Sequence, residues 1–162
     1  KRGVNNGYSE MNPDKLQCMV QLIVSKEKNG VPKTKLNKEM YYADFYSYKK
    51  YGRSISGLAY RAIQYGPVPE HYETVYDHVQ GLTKKSIEAS ADFEYDLLFC
   101  DSPDTSALSK EDIHVINQVM SVLVDMKRAD VVDLSHKENG WINNKDHHNI
   151  IPYDEAYSLK AF

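Results

Sequence analysis

The sequence predicts an α+β fold, mainly helical: a compact helical domain with a small antiparallel β-hairpin or sheet. Three observations carry this expectation. Apolar residues recur at helical spacing in segments opened by capping residues, at Asn12-Pro13 and at Ser109. Residues 87 to 99 alternate apolar and polar side chains with period two, the pattern of half-buried strands. The 162 residues have the length of one domain, enough to bury roughly two thirds of the surface exposed by the unfolded chain.

In chain order, residues 1 to 11 have little apolar content and two glycines, which suits a linker or frayed N-terminal arm, and leaves residues 12–162 as the domain. Asn12 can cap a first helix with Pro13 at its first position, and Leu16, Met19, Val20 and Ile23 form its apolar face until Asn29-Gly30. A second helix is expected from about Thr34, a candidate cap, to Tyr51, with Gly52 ending it. Residues 35 to 69 hold seven of the 13 tyrosines, which marks a polar-edged core or a surface built to be covered. Advancing ~100° per residue, Leu36, Met40, Ala43, Ser47 and Tyr51 share an arc that Asp44, Tyr48, Tyr41 and Phe45 continue. Lys38, Glu39, Lys49 and Lys50 occupy the rest with Tyr42 and Tyr46. The projection sends Tyr41, Tyr48 and Tyr51 inward and leaves Tyr42 and Tyr46 as the least buried. Asp44 falls between Met40 and Tyr48, where hydroxyls or backbone donors must replace its hydration.

Ile55 to Tyr65 reads as a short strand or irregular connector, and Gly66-Pro67-Val68-Pro69 as a turn of fixed shape, since prolines lack donors. Pro69 can open a third helix through Tyr72, Val75, Tyr76 and Val79 to Gly81. A hairpin should then turn near Asp92 to Glu94. Ser109 caps a fourth helix with Asp112 at the box position and a staple between Leu108 and Ile113. Its face of Ile113, Ile116, Met120, Leu123 and Val124 is widened by Val115, Val119 and Val122. A shorter helix from Asp130 should stop near Asn139-Gly140, followed by a polar loop and a last helix near Tyr153.

Composition excludes several function classes. Twenty basic against 23 acidic residues give a formal charge of -3, which argues against a polyanion or an anionic membrane surface as the main partner. No apolar run approaches ~20 residues and nothing resembles a signal peptide, so the chain reads as soluble, non-secreted and cytoplasmic. Cys18 and Cys100 lie in apolar segments and read as buried thiols of a reducing compartment, with a structural disulfide as the alternative. The chain starts at Lys1 without a methionine, which leaves an upstream domain open.

No Walker loop, G-x-S-x-G elbow, H-E-x-x-H or C-x-x-C is present. Asp146-His147-His148 reads as a solvated loop, so neither metal nor cofactor is expected. His71 and His78 read as boundary residues. His136 and Trp141 stand five apart across a turn, where imidazole can pack on indole as an architectural clasp. Three functional readings remain: a binding protein without catalysis, a small hydrolase or other enzyme using Asp44 and His136, and a transcriptional regulator.

Lys35-Leu36-Asn37-Lys38 followed by Met40-Tyr41-Tyr42-Ala43-Asp44-Phe45 resembles the K-L-x-K-L-L-Y-x-A-D-F signature of the Panacea domain, the SocA-like antitoxin family of bacterial and phage proteins. Ile55 to Tyr60, with Gly57 and Tyr60, and Tyr65-Gly66-Pro67-Val68 are similar to its next block. Leu134-Ser135-His136 with Trp141 is similar to its C-terminal pattern, although Leu134-Ser135 directly adjoin His136 here and Gly140 precedes the tryptophan. The resemblance spans about residues 14 to 160. It implies an antitoxin that neutralises a cognate toxin, typically encoded by the adjacent gene, by direct binding. It also implies that some members lend the toxin to a protease as adaptors and that many carry an additional domain, here an N-terminal DNA-binding one and the only route to nucleic acid. On this reading Lys35, Leu36, Lys38, Tyr42, Asp44, Phe45, Gly57, Tyr60, Gly66, Pro67, Val68, His136 and Trp141 are motif residues, structural or binding. Tyr42 and Tyr46, beside Lys38, Lys49 and Lys50, are the candidate toxin-binding face.

Overall fold

A computed structural model describes residues 2–162. Its fold is mainly helical α+β with two small antiparallel sheets. Helix α1, Pro13–Lys26, starts as the local chemistry demands: the Asn12 side-chain oxygen accepts from the N–H groups of Asp14 and Lys15 at 3.0 and 3.3 Å. Leu16, Met19, Val20 and Ile23 are buried as their spacing predicts. After β1, Val31–Pro32, helix α2 runs Lys33–Tyr51, and Pro32 rather than Thr34 precedes it, without a side-chain cap. Gly52 ends α2 in the left-handed region, its N–H reaching the Tyr48 carbonyl at 2.8 Å. This helix is the centre of the molecule, with α1 and α3 (Lys110–Leu123), α4 (Arg128–Ser135) and the second sheet packed around it. Every residue from Lys35 to Phe45 is buried.

The second sheet pairs β2, Tyr60–Ile63, with β3, Gly66–Pro69. Gly66-Pro67-Val68-Pro69 is therefore a strand, not a turn; the turn is Gln64-Tyr65. The prolines are tolerated because an antiparallel pair uses alternate residues for its hydrogen bonds. The ladder continues through Val68 opposite Arg61 and through the Glu70 N–H to the Ala59 carbonyl at 2.8 Å. With Pro69 consumed by β3, the expected third helix does not form: residues 70–78 are successive turns, and His71 sits at φ 58°, outside helical backbone. Tyr76 is buried nonetheless, its hydroxyl donating to Asn37 Oδ1 at 2.8 Å. The apolar spacing thus marked a covering segment whose backbone is too short and too bent to nucleate a helix.

The first sheet has the order β1-β5-β4, with β4 Thr83–Ser90 and β5 Phe93–Phe99. The hairpin turns at Ala91-Asp92, slightly earlier than expected, after a register shift between Glu88 and Ser90. Helix α3 opens with the expected capping box: Ser109 Oγ accepts from the Asp112 N–H at 3.1 Å and Asp112 Oδ2 from the Ser109 N–H at 2.9 Å. Val115, Ile116, Val119, Met120 and Leu123 are buried, while Val122 faces solvent instead of widening the core face. Helix α4 begins two residues before Asp130. Asn139-Gly140 does not stop a helix but starts a short one, α5, Asn139–Ile142. The last helical segment is a 3-10 turn, Tyr153–Ser158.

The arm before α1 is tied down. Ser54 N–H donates to the Gly7 carbonyl at 2.9 Å, Ser54 Oγ to the Asn6 carbonyl at 2.6 Å, and Ser9 Oγ to the Ser54 carbonyl at 2.8 Å. Gly57, at φ 77°, admits this strap: a Cβ there would lie 2.5 Å from the Glu10–Met11 backbone. Cys18 and Cys100 are free and buried.

Candidate functional site

Helix α2 carries Lys35, Asn37, Lys38, Glu39, Asp44 and Ser47 into the interior, and their environments differ. Asp44 is fully enclosed and saturated. Its Oδ1 accepts from the N–H groups of Ile55 and Ser56 at 2.8 and 2.9 Å, and its Oδ2 from the hydroxyls of Ser56 and Tyr60 at 2.5 and 2.6 Å. Burial pushes the carboxyl pKa up, and these hydrogen bonds oppose it. Asp44 thereby pins the 55–57 loop and β2 onto α2, the hydrogen-bonding role that its helical position predicts. An acid–base pair with His136 would need an open cleft at this carboxylate, and Asp44 has none.

About two and a half turns earlier, Lys35 Nζ lies 2.8 Å from Glu27 and 4.0 Å from Glu39, and donates to the Val124 carbonyl at 3.3 Å. Glu39, placed by projection on a solvated arc, is buried. Its pKa is pushed well up, first by burial and then by the neighbouring Glu27 carboxylate, against the pull of Lys35.

Lys38 is 0 % exposed, and its ammonium is depressed to about 8, by burial and then by the Arg128 charge. Gly66 makes room for it: at φ 106°, a Cβ there would fall 2.7 Å from both Lys38 Cε and Ser135 Oγ. Beside it His136 stacks on Trp141, ring centroids 4.0 Å apart and planes 18° from parallel. The Trp141 indole N–H donates to the Ile63 carbonyl at 2.7 Å, so the clasp joins α4 and α5 to the β2–β3 hairpin. Burial and then the Lys38 charge lower the His136 pKa. Lys38 Nζ and His136 Nε2 are buried without a hydrogen-bond partner among the described residues.

Tyr42 lies on the remaining side, also 0 % exposed, its hydroxyl donating to Glu138 Oε2 at 2.9 Å. Glu138 also accepts from the N–H groups of Lys160 and Ala161 at 2.8 and 3.3 Å. The Phe162 ring then covers Tyr42 and Tyr46 at centroid distances of 5.3 and 5.5 Å, and Lys49 Nζ donates to the Phe162 carbonyl at 2.7 Å. The exposed aromatic–basic face expected on α2 is thus absent as such. Tyr42 and Lys38 are interior residues, Tyr46 and Lys49 are half-buried, and only Lys50 is exposed. Tyr51, expected inside, is exposed. The projection treats the helix alone, whereas Glu138 and Phe162, far along the chain, cover Tyr42 and Tyr46, and Gly66 lies against Lys38.

A family model described as antitoxin SocA-like, Panacea domain, matches residues 36–142. The chain belongs to this family. No curated protein matches it, and no solved structure does. An antitoxin-family domain points to a non-enzymatic role. In this Panacea domain the motif blocks meet around α2: Leu36 and Phe45 fill the core, Asp44 grips Ser56 and Tyr60, Gly57 admits the N-terminal strap, and Gly66-Pro67-Val68 form the strand over Lys38. Sequence reasoning missed Glu27, Glu138 and Tyr153. Glu138 carries no periodic signal of its own, and Tyr153, stacked 4.1 Å from Phe45 with its hydroxyl on the Leu58 carbonyl, lies in a 3-10 turn with no amphipathic face. Among the described residues no group of three or more His, Cys, Asp and Glu is placed to hold a metal ion. No helix among them is long and apolar enough to cross a membrane.

Proposed function

We propose that this Panacea domain is an antitoxin that neutralises a cognate toxin by direct protein–protein binding, without catalysis of its own. Family membership over residues 36–142 is the observation that carries this reading. The saturation of Asp44 supports it, because that carboxylate serves the scaffold and leaves no lone pair for a substrate. The toxin is the product of the adjacent gene, the setting is the bacterial cytoplasm or a phage defence system, and a protease joins where the antitoxin acts as an adaptor. Residues 12–162 form the binding domain, and nucleic acid is met only through an N-terminal DNA-binding domain upstream of it. Co-expression of the chain with the adjacent gene's product should restore growth to cells that the product alone arrests, and the two should co-purify as a stable complex. A toxic neighbour that is neither relieved nor bound overturns the reading.

A further inference from the structure

The β4–β5 hairpin turns its apolar stripe away from the core. Side chains alternate across a strand, and the buried Leu98, paired with Val31, marks the core side. Tyr95, Leu97 and Phe99, with Ile87 opposite Tyr95, therefore stand on the other side. At the inner end Phe99 packs on Gly30, where a Cβ would lie 2.6 Å from the ring. The outer end lacks such a cover: Phe93 is 58 % exposed and its ring meets Tyr95 at 6.0 Å. Ala89, Phe93, Tyr95 and Leu97, with Pro32 and Thr34, line a groove of about 360 Å³ whose rim carries Arg128.

Charge is unevenly divided across the same hairpin. On the groove side stand Lys85, opposite Leu97, and the exposed Arg128, which forms no ion pair among the described residues. The core-side face carries Glu88, Glu94 and Asp96 beyond the edge of the core, with Lys84 opposite Leu98, so the acidic residues lie on that side alone. An apolar trough with only cations beside it is complementary to an apolar side chain flanked by a carboxylate. It is poorly complementary to a second copy of this chain, because a two-fold contact would set Lys85 and Arg128 of one copy against those of the other.

We infer that this groove is the surface on which the partner protein docks, through an apolar side chain seated against Phe93, Tyr95 and Leu97 and an acidic side chain paired with Arg128. The inference deepens the antitoxin reading and rests on it: the occupant is the toxin. The outer edge of β4 is unpaired among the described residues, so the partner's backbone can add hydrogen bonds beside the groove.

The test measures binding of the adjacent gene's product to the wild-type chain and to three variants by titration calorimetry, with the melting temperature of each chain as a folding control. Phe93→Asp should weaken binding by about 100-fold, the scale of an interface anchor. Arg128→Glu should weaken it by about tenfold and reduce its salt dependence. Glu94→Lys, on the opposite face, should leave it within about twofold. Wild-type binding with both groove variants unchanged overturns the inference and leaves the antitoxin reading standing; absence of wild-type binding and of growth rescue overturns both. Because Phe93 is exposed, its variant should fold, and Arg128→Glu decides the matter if it does not. A wild-type dimer in sedimentation that Phe93→Asp dissociates assigns the groove to a second copy and also overturns the inference.

Discussion

Helix α2 and the β4–β5 hairpin are opposites in pattern and in burial. The helix has no clean amphipathic face and carries lysines, a glutamate and an aspartate through its middle, yet residues 35 to 45 are all buried. The hairpin alternates cleanly, yet most of β4 and the tip of β5 are exposed. The difference lies in the neighbours. Over residues 35 to 45 helix α2 is enclosed on every side, so each polar group there must find an internal partner or shift its ionisation. The hairpin is covered near its base and open at its outer end, so its pattern describes a face whose outer part has no cover among the described residues.

The strongest way to test the enclosure of α2 is to remove its most engaged polar group. Asp44→Ala strands four buried donors, and chemical denaturation should show a loss of about 3–5 kcal/mol, with the 55–57 loop released. A loss below about 1 kcal/mol would mean that the pinned loop contributes nothing to stability. Lys38→Met should act in the other direction. Its folded pKa is depressed from 10.5 to about 8, so the folded state disfavours the charged amine. The wild-type contribution is complete above pH 10.5 and is lost as pH falls to about 8, a difference of up to about 3 kcal/mol. At pH 7 the variant should therefore be more stable than wild type, and its advantage should shrink between pH 8 and 10.5. A constant difference across that window would show that Lys38 stays charged and solvated.

Glu39→Gln should also raise stability at neutral pH, because burial and the neighbouring Glu27 make the ionised Glu39 carboxylate unfavourable in the folded state. Because burial raises the Glu39 pKa, its stabilising contribution is present below the unfolded value of 4.5 and is lost as pH rises through the folded value. Denaturation midpoints of the two chains should therefore converge in acid and separate as pH rises. The smallest effect belongs to the hairpin: Phe93→Ser should change stability by less than about 0.5 kcal/mol, because the ring is mostly exposed. A drop above about 2 kcal/mol would show that the chain covers the ring in solution and would erase the contrast between the two regions.

The features legible in the sequence were those whose chemistry is local. Asn12 and Ser109 cap helices because their side chains reach backbone N–H groups two or three residues away. Gly52 ends α2 by its own backbone freedom, and the five-residue spacing of His136 and Trp141 sufficed to predict their stack. The need of Asp44 for hydroxyl and backbone donors was also legible, since any carboxylate between apolar neighbours has it. Long-range covering was not. Nothing near Tyr42 announces that Glu138 will take its hydroxyl or that Phe162 will lie over it. The failed helix at 70–78 and the unexpected strand at 66–69 share one cause, because Pro69 was free to open a helix until β2 enlisted it.

The sequence by itself determined the mainly helical α+β class, the principal helix starts and stops, and the order of the Panacea motif blocks, because these depend on propensities, caps and identities within a few residues of one another. Tertiary structure decided which face of α2 is covered, which polar groups share a partner and which apolar stripe is left open. Those outcomes depend on where residues from different elements come to rest, and burial is a property of that arrangement rather than of any segment.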